Sequence, residues 1–225
     1  MGVRLVLLGP PGSGKGTLAT QLDERLSMVS LSTGELLRQA IRRKTALGKT
    51  VQAYVSSGGL VPDEVVVKLM TSRLTPRLIQ RGFVLDGFPR TVGQAEGLNA
   101  YLARVRKPLQ GACYLACTTR VLIARLSGRR VCARCGAIYH LRNMPPKRRG
   151  ICDRCHGRLT TRKDDRVTTI RRRLIVDHEA SQPLLNFYTR RRLLVRINGD
   201  GDSETVYART LRVFRRQGWI ADGGR

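Results

Sequence analysis

Between Gly9 and Thr17 the chain reads Gly-Pro-Pro-Gly-Ser-Gly-Lys-Gly-Thr, four glycines around one lysine. Glycines let successive backbone N–H groups converge on an anion, and a helix that follows presents its positive N-terminus to it. Gly9, Gly14 and Lys15 have the spacing of a loop that cradles nucleotide phosphates, with Lys15 reaching the β- and γ-phosphates. Gly16 stands where serine or threonine usually follows the lysine, and Thr17 brings the hydroxyl one place later. Asp86 ends the apolar run Gly82–Asp86. A carboxylate there suits holding Mg²⁺ through its waters, the alternative being that it caps the turn at Gly87.

A second chemistry is written in sulfur. Cys132-x-x-Cys135 and Cys152-x-x-Cys155 are separated by 16 residues, within the spacing of a four-cysteine zinc ribbon. Such a closed site leaves no place for water, so the predicted Zn²⁺ is structural. The stretch 128–165 has few apolar residues, which makes the metal the source of its stability. Cys113 and Cys117 lie in an apolar run and are expected as buried core thiols.

The third feature is charge. The 225 residues carry 42 Lys+Arg against 16 Asp+Glu, a formal +26, which demands an anionic partner. Residues 129–173 alone hold 15 Lys+Arg against 3 Asp+Glu. Four thiolates and Zn²⁺ would remove two charges, leaving a strongly positive cap suited to closing over a polyphosphate. No apolar run approaches the roughly 20 residues of a membrane span. The short first apolar stretch runs into the glycine loop, so no export leader is expected, and the cysteines then imply metal or free thiols in a cytoplasmic protein.

The elements that must position these groups alternate. Strands are predicted over 3–8, 82–86, 111–117 and 193–197, and helices over 18–26, 33–44, 63–74, 94–105, 120–126 and 168–190. Strands alternating with helices imply an α/β fold, a parallel sheet flanked by helices on both faces.

The ending Gly-Ser-Gly-Lys-Gly-Thr, with Ser32-Thr33-Gly34-Glu35-Leu36-Leu37-Arg38, Leu85-Asp86-Gly87-Phe88-Pro89-Arg90-Thr91 plus Gln94, and Thr161-Arg162-Lys163-Asp164-Asp165 followed by Arg173, resembles the adenylate kinase family over essentially the whole chain. The resemblance implies a P-loop nucleoside triphosphate hydrolase-like core over 1–31, 62–127 and 166–225, an AMP-binding insert over 32–61 and a zinc-binding lid over 128–165. It implies that Gly12, Ser13, Gly14, Lys15, Gly16 and Thr17 hold the ATP phosphates, that Ile138 and Tyr139 contact ATP from the lid, and that Gly201 meets adenine through its backbone. Thr33, Arg38, Gly59, Leu60, Val61, Gly87, Phe88, Pro89, Arg90 and Gln94 would hold AMP. Arg125, Arg129, Arg162 and Arg173 would converge on the two phosphate chains, the last two also serving AMP. Val167 and Thr168 depart from the acidic residues common in relatives. The implied activity is reversible phosphoryl transfer from MgATP to AMP, giving two ADP, by a monomer with Mg²⁺ and structural Zn²⁺. A kinase for another monophosphate, or one using GTP, is an alternative. So is a basic zinc-ribbon protein gripping RNA or DNA, although such a binder needs neither the phosphate loop nor the 85–91 segment. The surplus charge leads to an expectation of nonspecific nucleic-acid binding at low salt.

Overall fold

The computed structural model describes residues 2–57 and 59–221. Five strands form one parallel sheet: β1 (Arg4–Leu8), β2 (Ser30–Ser32), β3 (Phe83–Asp86), β4 (Gly111–Ala116) and, last in sequence of the five, a strand at Leu194–Asn198, in the order β2, β3, β1, β4, Leu194–Asn198. Leu5, Val6 and Leu7 are fully buried, as the central strand of a parallel sheet covered on both faces must be. Alternation sends Val6 and Leu8 to one face and Leu5 and Leu7 to the other.

The first face packs against α4 (Asp63–Thr71), α6 (Val92–Arg104) and α8 (Val167–Arg190), with Val66, Met70, Leu98, Leu184 and Tyr188 in its core. The second packs against α1 (Lys15–Leu26) and α9 (Ser203–Arg216), with Leu18, Leu22, Tyr207 and Phe214. Arg4, the one charge in β1, is buried and spends its guanidinium on the carbonyls of Pro108 and Gly2. Between β2 and α4 lie two further helices, α2 (Thr33–Arg42) and α3 (Ala46–Ser57); α5 (Pro76–Arg81) precedes β3, and α7 (Thr119–Gly128) follows β4. No helix of the described residues is long and apolar enough to cross a membrane.

The stretch after α7 builds a separate antiparallel sheet from β5 (Arg129–Cys132), β6 (Ile138–His140) and β7 (Leu159–Thr160), so the strand at Leu194–Asn198 is β8. Its own small core is Cys132, Tyr139, Cys152 and Leu159. A 3-10 turn, Lys163–Asp165, leads back into α8.

All four expected core strands and six expected helices are present, with shifted ends. The structure adds β2, α3, α5 and α9. Helix α1 starts at Lys15 rather than Leu18, because Gly14 at φ 98° forms the left-handed step into it. The expected helix 33–44 stops at Arg42, and Ala46 starts another. Pro183 sits inside α8 without ending it.

Phe214 is fully buried and meets Trp219 edge-to-face at 5.3 Å between centroids. Replacing Phe214 with Ala should lower the unfolding free energy by about 3–5 kcal/mol, read from denaturant midpoints; a loss below about 1 kcal/mol would show that α9 contributes little to the second core.

Candidate active site

The carboxyl ends of the sheet's strands meet at one cleft, where ligands of open parallel sheets bind. β1 runs into the glycine loop, β3 ends at Asp86, and β4 and β8 end at Ala116 and Asn198. The cleft encloses about 770 Å³. Lining it are Gly12 to Thr17, Asp86, Gly87, Pro89, Arg90, Arg125, Arg129, Ile138, Tyr139, Arg162, Arg173 and Gly201. A smaller cavity of about 60 Å³ adjoins it and is lined by Thr33, Arg38, Gly59, Leu60, Val61, Gly87, Arg90, Gln94 and Arg173, among others. Arg38, Gly87, Arg90 and Arg173 line both, so the cationic groups stand where the two spaces join.

The loop's shape follows from its glycines. Gly9, Gly12 and Gly14 have φ of 137°, 85° and 98°, a region other residues enter only with strain. A Cβ on Gly12 would also come within 2.9 Å of the Leu122 carbonyl. Lys15 folds over its own loop, its Nζ donating to the carbonyls of Gly9 (2.6 Å) and Pro10 (2.9 Å). Burial lowers its ammonium to about 8, against the opposing pull of Asp86 and Asp177. A Cβ on Gly16 would lie 3.4 Å from Asp86 Oδ2, so the small residue after Lys15 lets the carboxylate sit against the start of α1.

Five guanidiniums, those of Arg38, Arg90, Arg129, Arg162 and Arg173, crowd the junction, and two buried carboxylates make this tolerable. Arg129 binds Asp165 in bidentate fashion, Nε to Oδ2 at 2.7 Å and Nη2 to Oδ1 at 2.5 Å. Arg173 Nη1 lies 3.0 Å from both Asp164 Oδ2 and Asp165 Oδ1. Although burial pushes Asp164 up, Arg173, Arg38, Arg162 and Arg129 hold its carboxyl below the usual range. Arg38 and Arg162 are less well served. The Nε of each is buried and, among the described residues, donates to no hydrogen-bond acceptor; Glu35 Oε2 stands 3.5 Å from Arg38 Nε, an ion pair without hydrogen-bond geometry. Burial, then Arg38 and Arg129, lower Arg162 to about 9. Orphaned buried donors beside like charges make a site that an anion of several oxygens would complete.

Other expected residues have different surroundings. Arg125 is spent on carbonyls: Nη1 donates to Ser13 (3.1 Å), and Nη2 to Gly199 (2.9 Å) and Gly201 (2.6 Å). It ties the phosphate loop to the turn after β8. The Phe88 side chain is fully buried in the first core and lines neither cavity, so only its backbone could serve a ligand. Tyr139 lines the cleft, but its hydroxyl reaches Cys152 Sγ (3.4 Å) and accepts the Asp153 N–H (2.7 Å). Gln94 is buried, with both ends of its amide engaged by protein groups. Cys113 is a core thiol, whereas Cys117 is half-buried beside the glycine loop, its Sγ 3.7 Å from the Ser13 carbonyl and 3.6 Å from Arg125 Nη1. Sequence reasoning assigned no role to Asp164, Asp165 or Asp177. The adjacent pair Asp164-Asp165 amid fifteen cations was the available signal.

The Sγ atoms of Cys132, Cys135, Cys152 and Cys155 all lie within 4.8 Å of one another, with Cys132–Cys155 at 3.4 Å and Cys135–Cys152 at 3.6 Å. A tetrahedron with Zn–S bonds near 2.3 Å has S–S edges of about 3.8 Å, so the donor set fits that ion. The lid that carries them rests on the core through an Arg154–Glu24 ion pair to α1.

The adenylate kinase family model matches residues 7–193. The chain is 44% identical to an adenylate kinase of Moorella thermoacetica over 216 residues, 96% of this chain and 98% of that one. It is 41% identical to one of Clostridium botulinum and 42% identical to one of Methanocella arvoryzae, each over 214 residues, 95% of this chain and 99% of the relative. With its phosphate loop, adjoining cavities and arginine junction in the matched span, this chain belongs to the adenylate kinase family.

Proposed function

We propose that the larger cleft binds MgATP, the smaller cavity binds AMP, and a phosphoryl group crosses the arginine junction between them to give two ADP. The observation that carries this is the set of guanidiniums where the cavities join: Arg38, Arg90 and Arg173 line both, Arg162 lines the larger, and the buried Nε atoms of Arg38 and Arg162 lack partners. An α-phosphate oxygen of AMP attacks the γ-phosphorus of ATP, and the bond from that phosphorus to the β–γ bridging oxygen breaks. Such a transfer needs positioning, charge neutralisation and exclusion of water rather than covalent help.

The residues divide that work. Backbone N–H groups of 12–17 orient the ATP phosphates, and Lys15 turns from its own carbonyls to the transferred group. Arg129, Arg162 and Arg173 bring fixed positive charge to the equatorial oxygens, and a planar fork does so bidentately. Arg38 and Arg90 hold the AMP phosphate, while Thr33, Gly59, Leu60, Val61 and Gln94 surround its nucleoside. Arg125 supports the adenine end by fixing the Gly201 turn. Asp86 and Thr17 would hold the Mg²⁺ water shell, the ion neutralising charge on the ATP phosphates when bound. The four cysteines would hold Zn²⁺, which shapes the lid and takes no part in the transfer.

Arg129→Ala and Arg162→Ala should each lower kcat/KM by at least ~10²-fold, Arg162→Ala with little change in melting temperature because its Nε stabilises nothing in the empty protein. Near-normal activity in both would remove these residues from the mechanism. A polyanion bound at Lys15 raises its pKa above the empty-site value of about 8, so affinity is complete below pH 8 and falls as pH rises through it. The Kd for ATP, measured by calorimetry, should rise ~10-fold or more between pH 7.5 and 9.5; a flat profile would mean that Lys15 does not meet the phosphates. Purified protein should hold about one Zn²⁺ per chain. Cys135→Ser should lower metal content and melting temperature together, and metal analysis far below one equivalent in the parent protein would exclude structural zinc.

A further inference from the structure

We propose that Asp63, which lines neither cavity, is a positioning residue that sets the acceptor's base specificity by fixing which way round the Gln94 amide lies. This rests on reading the smaller cavity as the AMP pocket. Asp63 is the first residue of α4, directly after Pro62. Its Oδ1 accepts from Gln94 Nε2 at 2.9 Å, and its Oδ2 accepts from Thr91 Oγ1 at 2.6 Å. On the other side of the amide, Gln94 Oε1 accepts the Arg90 backbone N–H at 2.8 Å. Thr91, whose hydroxyl donates to Asp63, accepts the Gln94 backbone N–H at 3.2 Å and caps α6.

This set of contacts has one solution. A carboxylate oxygen accepts and a backbone N–H donates, so turning the amide by 180° would set oxygen against oxygen and N–H against N–H. Gln94 is 2% exposed, so no water would relieve either clash. The backbone also makes room for the contact: a Cβ on Gly93 would fall 2.7 Å from Asp63 Oδ2, and any side chain there would displace the carboxylate. Gln94 therefore keeps one free N–H and one free lone pair, in a fixed order, for whatever enters the pocket.

That order matters because a purine's 6-position exists in two versions. A 6-aminopurine offers a donor beside the acceptor N1; a 6-oxopurine offers an acceptor beside the donor N1–H. With the monophosphate anchored at Arg38 and Arg90, the base enters in one direction, and a locked amide matches one version only. A free amide could turn and serve both. Asp63 thus removes the adaptability that would make Gln94 indifferent.

The test compares kcat/KM for AMP and for IMP with MgATP, on the same preparation of each variant, so that the ratio is independent of the folded fraction. Asp63→Ala should lower the AMP-to-IMP preference by at least ~10-fold, mainly through KM. Asp63→Asn, whose one oxygen can still accept from Gln94, should keep the preference within ~3-fold of the parent. Gln94→Ala should collapse the preference. If Gln94→Ala collapses it and Asp63→Ala does not, the proposal fails while the AMP pocket stands. If Gln94→Ala leaves it unchanged, the reading of the pocket fails and the proposal with it. If Asp63→Asn loses as much as Asp63→Ala, charge and not amide orientation is what Asp63 supplies, and the proposal is overturned.

Discussion

The structure depends on keeping several guanidiniums close together in a largely buried space. Like charges at such range repel strongly once water is displaced, and desolvation adds its own cost. Asp164 and Asp165 offset both, holding Arg129 and Arg173 through buried contacts while Arg38 and Arg162 stay under-satisfied. Asp164, Asp165 and the partly exposed Glu35 against five arginines leave a deficit of negative charge at the junction. The chain holds its cations short of neutrality, as a site built for a polyanion would.

Where that cluster sits is set by the sheet. Parallel strands deliver their carboxyl ends to one edge, so the glycine loop after β1, Asp86 after β3 and the Gly199–Gly201 turn after β8 arrive together although far apart in sequence. Arg125 then joins two of these arrivals by donating to carbonyls of both. The lid contributes Arg129 and Ile138 from above, and its return through the turn Lys163–Asp165 places the paired carboxylates at the hinge. One short segment thus both carries the lid and holds the cations.

The sheet's central strands were legible because burial on both faces forces continuous apolar runs such as Leu5–Leu8. β2 escaped because Ser30-Leu31-Ser32 is short, polar and at the edge, where a strand needs little hydrophobic signal. Helix α9 escaped because its buried positions Val206, Tyr207, Thr210 and Phe214 are interleaved with arginines, although Asp202 caps it in a readable way. At the site, the positions of the phosphate loop and the four cysteines could be read because their geometry is local: glycine conformation in one case, knuckle spacing in the other. The partners of the long side chains could not. Which carboxylate meets Arg129, that Arg125 ends on carbonyls, and that Tyr139 turns its hydroxyl to Cys152 are settled by contacts spanning 13 to 74 residues.

The lid's separate core has a calorimetric consequence. Cys132, Tyr139, Cys152 and Leu159 share no cluster with the two layers about the large sheet, and the side-chain link from the lid's far end to α1 is an exposed pair, Arg154 with Glu24, of a kind that contributes little. Unfolding the lid leaves both apolar clusters about the large sheet intact, its buried ties to the body being the ion pairs at Asp164 and Asp165, so the two need not melt as one cooperative unit. The heat absorbed by the small unit reports its own metal and packing, while that of the large unit reports the sheet. Substitutions around the cysteines can then move the temperature at which the cap lets go without altering the enthalpy of the body beneath it, so the working range of the whole molecule is adjustable from a few dozen of its residues.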